Sequence, residues 1–320
     1  MTTILAPTDS DATAGAAEAP GTPRLVRAEL LKIFTTSMWW IMGIAALLAT
    51  GLALLINVSN LNARLAAAEQ LAQHRPDFPG EGLSAAEQQR RIQEFAEQTD
   101  IPGILARGAA DIYTSGQYLG LLLVALLGAL VVTNEFQHQT ATATFLTTPD
   151  RAKVITAKLR AVAILAAGYW LLATAFSVGV GALFATLQGH AIPYSDPGIL
   201  RAVGINLLAY ALWSVLGVGL GVLMRGQLGA TLVTTGVYLS GYAALILFGL
   251  IRSLVPSDAV YDVAILVPSV ASIVMLSPEE LAFDADTFGP AWWVGALVLI
   301  GYGIAAGVIG TLITRRRDIS

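Results

Sequence analysis

Six long apolar stretches divide this chain, and no acidic side chain interrupts any of them. They cover residues 38–56, 116–133, 161–187, 199–224, 228–251 and 291–313. At about 1.5 Å per residue, helices of this length cross the ~30 Å hydrocarbon core of a bilayer. An open strand would leave backbone polar groups unsatisfied in lipid. The sequence therefore predicts an all-α, polytopic integral membrane protein with six transmembrane helices.

The composition agrees with lipid as the surrounding medium and excludes several kinds of site. Charged residues make up 12% of the chain, against roughly 25% in soluble domains. Cysteine is absent, which rules out a disulfide framework and a thiolate metal site. His74, His138 and His190 lie far apart without ligand spacing, so we expect no metal site. Nothing in the charge pattern indicates a nucleic-acid partner.

Basic residues define the predicted orientation. With six spans, both termini and the connections after the second and fourth spans lie on the same side of the membrane. The basic residues on that side are Arg24, Arg27, Lys32, Arg151, Lys153, Lys158, Arg160, Arg225, Arg315, Arg316 and Arg317. Because cytoplasmic connections carry an excess of Lys and Arg, we expect a multi-pass protein of the cell membrane with both termini in the cytoplasm.

One further apolar segment, residues 263–276, is too short to cross the bilayer comfortably, and Pro268 lies near its middle. A seventh span would place the two basic ends of the chain on opposite sides. We therefore predict a re-entrant or interfacial helical segment between the fifth and sixth spans.

The remaining segments lie outside the lipid. Residues 1–23 contain almost no large apolar groups and are expected to be disordered, residues 24–313 form the transmembrane domain, and residues 314–320 form a basic cytoplasmic tail. The outer loop, residues 59–115, is predicted to contain two short helices. Apolar residues recur at helical spacing from Leu61 to Ala72, and Ser84 with Glu87 forms a capping-box pattern. Either surface helices resting on the bilayer or on each other, or a substrate-gating lid, fits this loop.

No catalytic motif occurs in the chain. The patterns GxxxxGK[ST], GxSxG and HExxH are all missing, so no nucleophile and base pair can be named for an intramembrane enzyme. The spans also lack Asp and Glu, which disfavours an ion-coupled carrier, because such carriers place ionisable groups near the midplane. Neutral polar residues are present, among them Asn206, Ser214 and Thr234. They either form hydrogen bonds between helices or line a substrate path.

Gly217 and Gly221 form a GxxxG spacing within the fourth span. Such a spacing lets helix backbones approach closely. Packing within the chain, a dimer face and chance occurrence all fit the pattern.

The second cytoplasmic connection, residues 134–150, carries the most specific pattern. It begins NEFQHQT and ends TTPD, and Arg151 and Lys158 follow it. The residues that form the pattern are Glu135, Phe136, His138, Thr140, Leu146, Pro149, Arg151 and Lys158. This segment resembles the first cytoplasmic loop of ABC-2 type transporter permeases, especially a bacterial subgroup with an acid directly after span two. It departs from that pattern at Gln139, where the family usually has glycine. The amphipathic residues 25–37 resemble the family's connecting helix.

The resemblance implies a non-catalytic permease subunit of an ATP-driven ABC exporter. ATP and Mg would then be bound by a separate nucleotide-binding subunit, and a second copy or a homologous permease would complete the path. The pattern residues from Glu135 to Arg151 would couple the chain to the ATPase. We expect a polar helix with Glu135 at its start, near the positive end of the helix dipole. A solvated connection that only sets topology is the simpler interpretation of the same charges. An ion-coupled secondary transporter is the alternative function, and the substrate cannot be read from the sequence.

Overall fold

The computed structural model describes residues 21–73, 84–138, 151–189, 196–224, 226–254, 263–276 and 291–317. In these ranges the chain forms helices and no strand, which confirms the all-α prediction. The helices are α1 (Thr22–Phe34), α2 (Met38–Gln73), α3 (Ala85–Gln98), α4 (Ile101–Tyr113), α5 (Gln117–Gln137), α6 (Arg151–Gln188), α7 (Pro197–Met224), α8 (Gln227–Leu254), α9 (Pro268–Leu276) and α10 (Trp292–Arg317).

Six helical stretches in the described ranges are long and apolar enough to cross a membrane. They are α2, α4 together with α5, α6, α7, α8 and α10. Each predicted span overlaps one of them, so the prediction of a multi-pass membrane protein is confirmed. We call the end of the bundle that carries α1 and the last turn of α5 the basic end, and the opposite end, which carries α3 and α4, the far end.

The centre of the bundle is the packing of α5 against α7. Gly221 lies so close to α5 that a Cβ atom there would come within 2.6 Å of the Ala129 carbonyl oxygen, and Gly217 approaches the Ala125 carbonyl in the same way. Small residues on both helices allow this approach of the two backbones. Of the alternatives for the GxxxG spacing, packing within the chain is the one observed.

A second, smaller core lies at the far end. Leu61 and Leu65 of α2 pack with Ile104 and Ile112 of α4 and with Ile199 of α7. The prediction that the apolar repeat from Leu61 to Ala72 forms a separate short helix is therefore wrong. The repeat continues the first span as one 36-residue helix. The repeat keeps its helical register with the span, and nothing between residues 56 and 61 breaks the helix.

The other helices of the outer loop match the sequence in part. The predicted capping box at the start of α3 is present: Ser84 Oγ accepts from the Glu87 N–H, and the Glu87 carboxylate accepts from the Ser84 N–H. Helix α4 was not predicted. Its joint with α5 is fixed by Asn57 of α2, whose Nδ2 donates to Ser115 Oγ at 2.8 Å, and by Tyr210 of α7, whose hydroxyl donates to the Gly116 carbonyl at 2.7 Å.

The segment between the fifth and sixth spans contains the short helix α9. Pro268 lies near the middle of the predicted segment and is the first residue of this helix, where the missing proline N–H costs no hydrogen bond. Trp213 of α7 donates from Nε1 to Ser272 Oγ at 3.0 Å, and Ser269 Oγ donates to the Val237 carbonyl of α8 at 2.8 Å. The segment is therefore helical and packs among the spans, while its re-entrant or interfacial position stays a prediction.

Helix α1 confirms most of the amphipathic helix predicted over residues 25–37, but it begins at Thr22 and ends at Phe34. The rest of the predicted disordered segment, residues 1–20, lies outside the described residues. Helix α10 continues to Arg317, so its backbone includes the start of the predicted basic tail.

Candidate functional site

The candidate site begins with the buried face of α1. Pro23 in the first turn fixes a helical φ, and the helix ends at Phe34, after which the Thr35 N–H bonds back to the Leu31 carbonyl. Ile33 and Glu29 are both buried and lie four residues apart, so they share one face of the helix. A carboxylate on the buried face of a surface helix needs a partner, because burying an isolated charge is costly.

Lys158 of α6 supplies that partner. Its Nζ lies 2.6 Å from Glu29 Oε2 and 2.8 Å from Glu135 Oε1 near the end of α5. Lys158 is only 6% exposed and Glu29 only 5%. One ammonium group therefore joins three helices that are distant in the sequence.

Lys32 completes the arrangement from the solvent side. Its Nζ lies 2.6 Å from Glu29 Oε1, one turn away on α1, and 3.1 Å from Glu135 Oε1. We call Glu29, Lys32, Glu135 and Lys158 the ion cluster. It contains two ammonium groups and two carboxylates, so its formal charge is zero.

The protonation states follow from these contacts. Burial by itself would raise the pKa of Glu29, but the ammonium groups of Lys158 and Lys32 outweigh it and hold that pKa below its ordinary value of 4.5. Burial would lower the pKa of Lys32, whereas its hydrogen bonds and attraction to Glu29 and Glu135 raise it above 10.5. Both groups are therefore charged at neutral pH.

Glu135 is not where the sequence placed it. It was expected to begin a polar helix, but it lies in the last turn of α5, which ends at Gln137. The helix dipole is negative there and disfavours a carboxylate. Lys32 and Lys158 supply the positive charge that holds Glu135 in this position. Residues 134–138 contain no Gly or Pro that would end the span at its apolar boundary, so the helix continues into the polar segment.

The corner between α1 and α2 is tied to the same end of the bundle. Trp39 Nε1 donates to the Phe34 carbonyl at 3.1 Å, and the two rings pack edge to face with centroids 5.1 Å apart. The Tyr169 hydroxyl of α6 donates to the Trp39 carbonyl. Helix α6 thus holds both α1, through Lys158, and the start of α2.

The other predicted coupling residues fall into two groups. Phe136 is half-buried and packs against the main core, and His138 is exposed at the end of α5. Arg151 is the first residue of α6. Thr140, Leu146 and Pro149 lie outside the described residues. The contact of these residues with an ATPase subunit stays a prediction.

An open cleft lies beside the end of α5. Phe136 and Gln137 form one wall, and the turn between α7 and α8 forms the other, with Gly226 and Leu228. Leu228 is 74% exposed. An apolar side chain with this exposure at the end of a span is available to lipid or to a partner.

The three predicted substrate-path residues lie inside the bundle. Asn206 is 2% exposed and donates from Nδ2 to Gln117 Oε1 at 3.0 Å, while Ser214 donates to the Ala211 carbonyl of its own helix at 2.8 Å. The two are about 12 Å apart along α7. The Thr234 hydroxyl is buried and has no hydrogen-bond partner among the described residues. Asn206 thus acts between helices, and a substrate path through these residues stays a prediction.

The sequence predicted a role for Lys32, Glu135 and Lys158 but did not predict that they pair with one another or with Glu29. Lys158 is one of the basic residues that indicate the topology and belongs to the family pattern, and Glu29 lies within the amphipathic residues 25–37. The available signal was the position of Glu29, three residues after Val26 and four before Ile33, on the apolar face of α1. An acid at that position predicts a buried cation on another helix, although it does not say which one.

Within the described ranges, no group of three or more His, Asp or Glu side chains is placed to hold a metal ion. In the ion cluster, each of the two carboxylates pairs with both ammonium groups. Its geometry suits a fixed joint between helices. Comparisons with protein-family models, curated proteins and solved structures found no match to this chain.

Proposed function

We propose that this chain is the transmembrane permease subunit of an ATP-driven ABC exporter. A separate nucleotide-binding subunit binds ATP and Mg and docks at the basic end, which faces the cytoplasm. A second copy of the chain, or a homologous permease, completes the path across the membrane. The resemblance of residues 134–151 to ABC-2 permeases supports this assignment.

The observation that carries the proposal is the ion cluster. Glu135 and Lys158 stand on either side of the predicted coupling segment, on α5 and α6, and their side chains meet at 2.8 Å. Glu29 adds the surface helix α1 to the same joint. A force applied to the segment between α5 and α6 therefore reaches both spans and α1 together.

The strength of the joint suits this role. Breaking a buried ion pair by removing one partner costs about 3–5 kcal/mol, because the other charge is left buried. The joint should therefore hold while the spans tilt, and ATP-driven closure of the ATPase pair would move the α5 and α6 ends as one body. The substrate is expelled outward when the spans tilt.

The cleft beside Phe136 offers a surface for the partner. It combines an aromatic wall with the exposed Leu228, and His138 lies next to it at the end of α5. Apolar and aromatic groups surrounded by polar residues are typical of the centre of a protein interface.

Site-specific crosslinking in the native host tests the partner directly. The chain contains no cysteine, so a photoactivatable crosslinker can be attached to His138→Cys alone. We expect it to capture a soluble subunit that carries a GxxxxGK[ST] phosphate loop. The matched control is Ser84→Cys at the exposed start of α3, which should capture no such subunit. Equal capture from both positions, or a partner without a nucleotide site, would contradict the proposed function.

A further inference from the structure

A cleft of 320 Å³ lies at the far end, between the outer helices and the bundle. Residues of α2, α4, the start of α7 and the end of α9 line it. Three arginines, Arg64, Arg107 and Arg201, lie along it, and we call it the arginine cleft. All three are exposed.

The charges in the arginine cleft are partly compensated. Arg64 Nη1 lies 3.7 Å from Asp111 Oδ2, and Asp196 Oδ1 accepts a hydrogen bond from the Gly198 N–H at the start of α7. Among the described residues, neither Arg107 nor Arg201 forms an ion pair, and the carboxylate that lies with the Arg107 guanidinium beside Gly103 is that of Asp100. Two guanidinium groups are therefore available to an anion, and guanidinium binds phosphate and carboxylate oxygens in a bidentate way.

The walls of the cleft are apolar below the arginines. Ile205 and Ala202 of α7 face it from one side, and Met275 and Leu276 from the end of α9. A site with a cationic rim and an apolar wall fits an amphiphile, because the anionic headgroup can contact the rim and the hydrocarbon chain can contact the wall.

The position of the cleft along the membrane normal matches that of the lipid headgroups. Helix α5 has 21 residues, which is roughly 31 Å of helix, and it begins at Gln117. Asn206 bonds to Gln117 and so marks the same level on α7. Arg201 lies roughly 8 Å further out along α7. The headgroup layer on each side of the hydrocarbon core is about 5–8 Å thick, so Arg201 is at its level.

A neighbouring cleft sets the direction of approach. It shares Arg64 and Arg107 but also carries Glu94 and Glu97 of α3, which repel an anion. An anionic headgroup therefore reaches the arginines from the side of α7 and α9, where the membrane-spanning helices end.

We propose that the arginine cleft binds the headgroup of an anionic phospholipid of the surrounding bilayer. The phosphate lies between the guanidinium groups of Arg107 and Arg201, and the first part of the acyl chains lies along Ile205 and Leu276. This inference goes beyond the proposed function and does not depend on it, since it needs only a chain that spans a membrane.

The test uses the full-length chain in nanodiscs made of equal parts phosphatidylcholine and phosphatidylglycerol. After release into mild detergent, native mass spectrometry counts the lipids that stay bound. We expect the parent to retain phosphatidylglycerol in preference to phosphatidylcholine. Arg107→Gln with Arg201→Gln should weaken that preference by about fivefold for each arginine.

The control is Arg90→Gln with Arg91→Gln on α3, which removes the same charge away from the cleft and should leave the preference unchanged. Because all four arginines are exposed, both variants should fold, and matching thermal unfolding confirms it. Equal retention of the two lipids by the parent, or equal loss in both variants, would overturn the proposal. Displacement of phosphatidylglycerol by millimolar inorganic phosphate would overturn it too, because the site would then recognise a free anion.

Discussion

Lys158 and Glu29, 129 residues apart in the sequence, form a buried ion pair of 2.6 Å between the third span and the surface helix. Glu135 adds the end of the second span to the same ammonium group. The surface helix is therefore not held only by its apolar face. Its position is coupled to the two spans that flank residues 139–150.

Replacing Lys158 by Met should destabilise the chain by about 3 kcal/mol, because Glu29 would stay buried with only Lys32 as its partner. Thermal unfolding in detergent measures the loss. Arg160→Met is the control on the exposed side of the same helix and should change the midpoint little.

The double variant Glu29→Gln with Lys158→Met tests whether the pair itself is responsible. Removing both charges leaves no unpaired buried ion, so the combined loss should be clearly smaller than the sum of the two single losses. Additive losses would mean that the two side chains do not interact.

The stability of the ion cluster should depend on pH at both extremes. The pKa of Glu29 is lower in the folded chain than its ordinary 4.5, so its contribution is present above that value and is lost as the pH falls through the folded pKa. The pKa of Lys32 is raised above 10.5, so its contribution is present below that value and is lost as the pH rises through the folded pKa. Between these limits the unfolding midpoint of the parent should vary little on account of the cluster.

A comparison with Lys158→Met tests the loss of stability at low pH, where Glu29 becomes protonated. In that variant the pKa of Glu29 should rise, and the acid-induced loss should begin at a higher pH. If the unfolding midpoints of the parent and the variant fall over the same range of low pH, Lys158 does not stabilise the ionised form of Glu29.

Glu135→Ala should reduce the transport-linked ATPase activity of the partner subunit, while the expression level of the chain stays normal. The change removes the carboxylate that joins the end of α5 to Lys158 and Lys32, and the loss of charge-assisted bonds is about 1.5–3 kcal/mol. Insertion should be unaffected, because acids contribute little to topology. The control Glu94→Ala, on exposed α3, should leave that activity unchanged. If the two variants behave alike, the coupling role of Glu135 is wrong.

Both termini should lie in the cytoplasm, because only that arrangement places every short basic connection inside. In intact cells, an impermeant thiol reagent should not label a cysteine at Ser320, whereas it should label one at Ser84 at the far end. The reverse labelling pattern would invert the topology, and labelling at both positions would remove the six-span arrangement.

The spans could be predicted from the sequence because few backbone conformations other than the helix are stable in lipid. An uncharged run such as residues 228–251 can be neither a loop nor an open strand in hydrocarbon. The capping box of Ser84 and Glu87 was equally visible, since it depends on residues three positions apart. Both are local features, and neither needs knowledge of the rest of the fold.

The outer loop and the ion cluster depend on contacts that the sequence does not show. Helix α4 contains Gly103, Arg107 and Asp111, residues that do not indicate a helix in the sequence. Its helical structure is stabilised because Ile104 and Ile112 pack on α2 and α7. The pairing of Glu29 with Lys158 joins two distant helices, so no local pattern could identify the partner.

ATP turnover measured with and without the partner subunit tests the central claim most directly. The chain would be purified from its native host, once together with the subunit captured at His138 and once alone. The account predicts ATP hydrolysis by the complex and none by the chain alone, since the chain has no GxxxxGK[ST] phosphate loop. Robust hydrolysis by the chain alone would contradict it. Transport by the chain that persists without ATP while an ion gradient remains would contradict it as well and would favour an ion-coupled carrier.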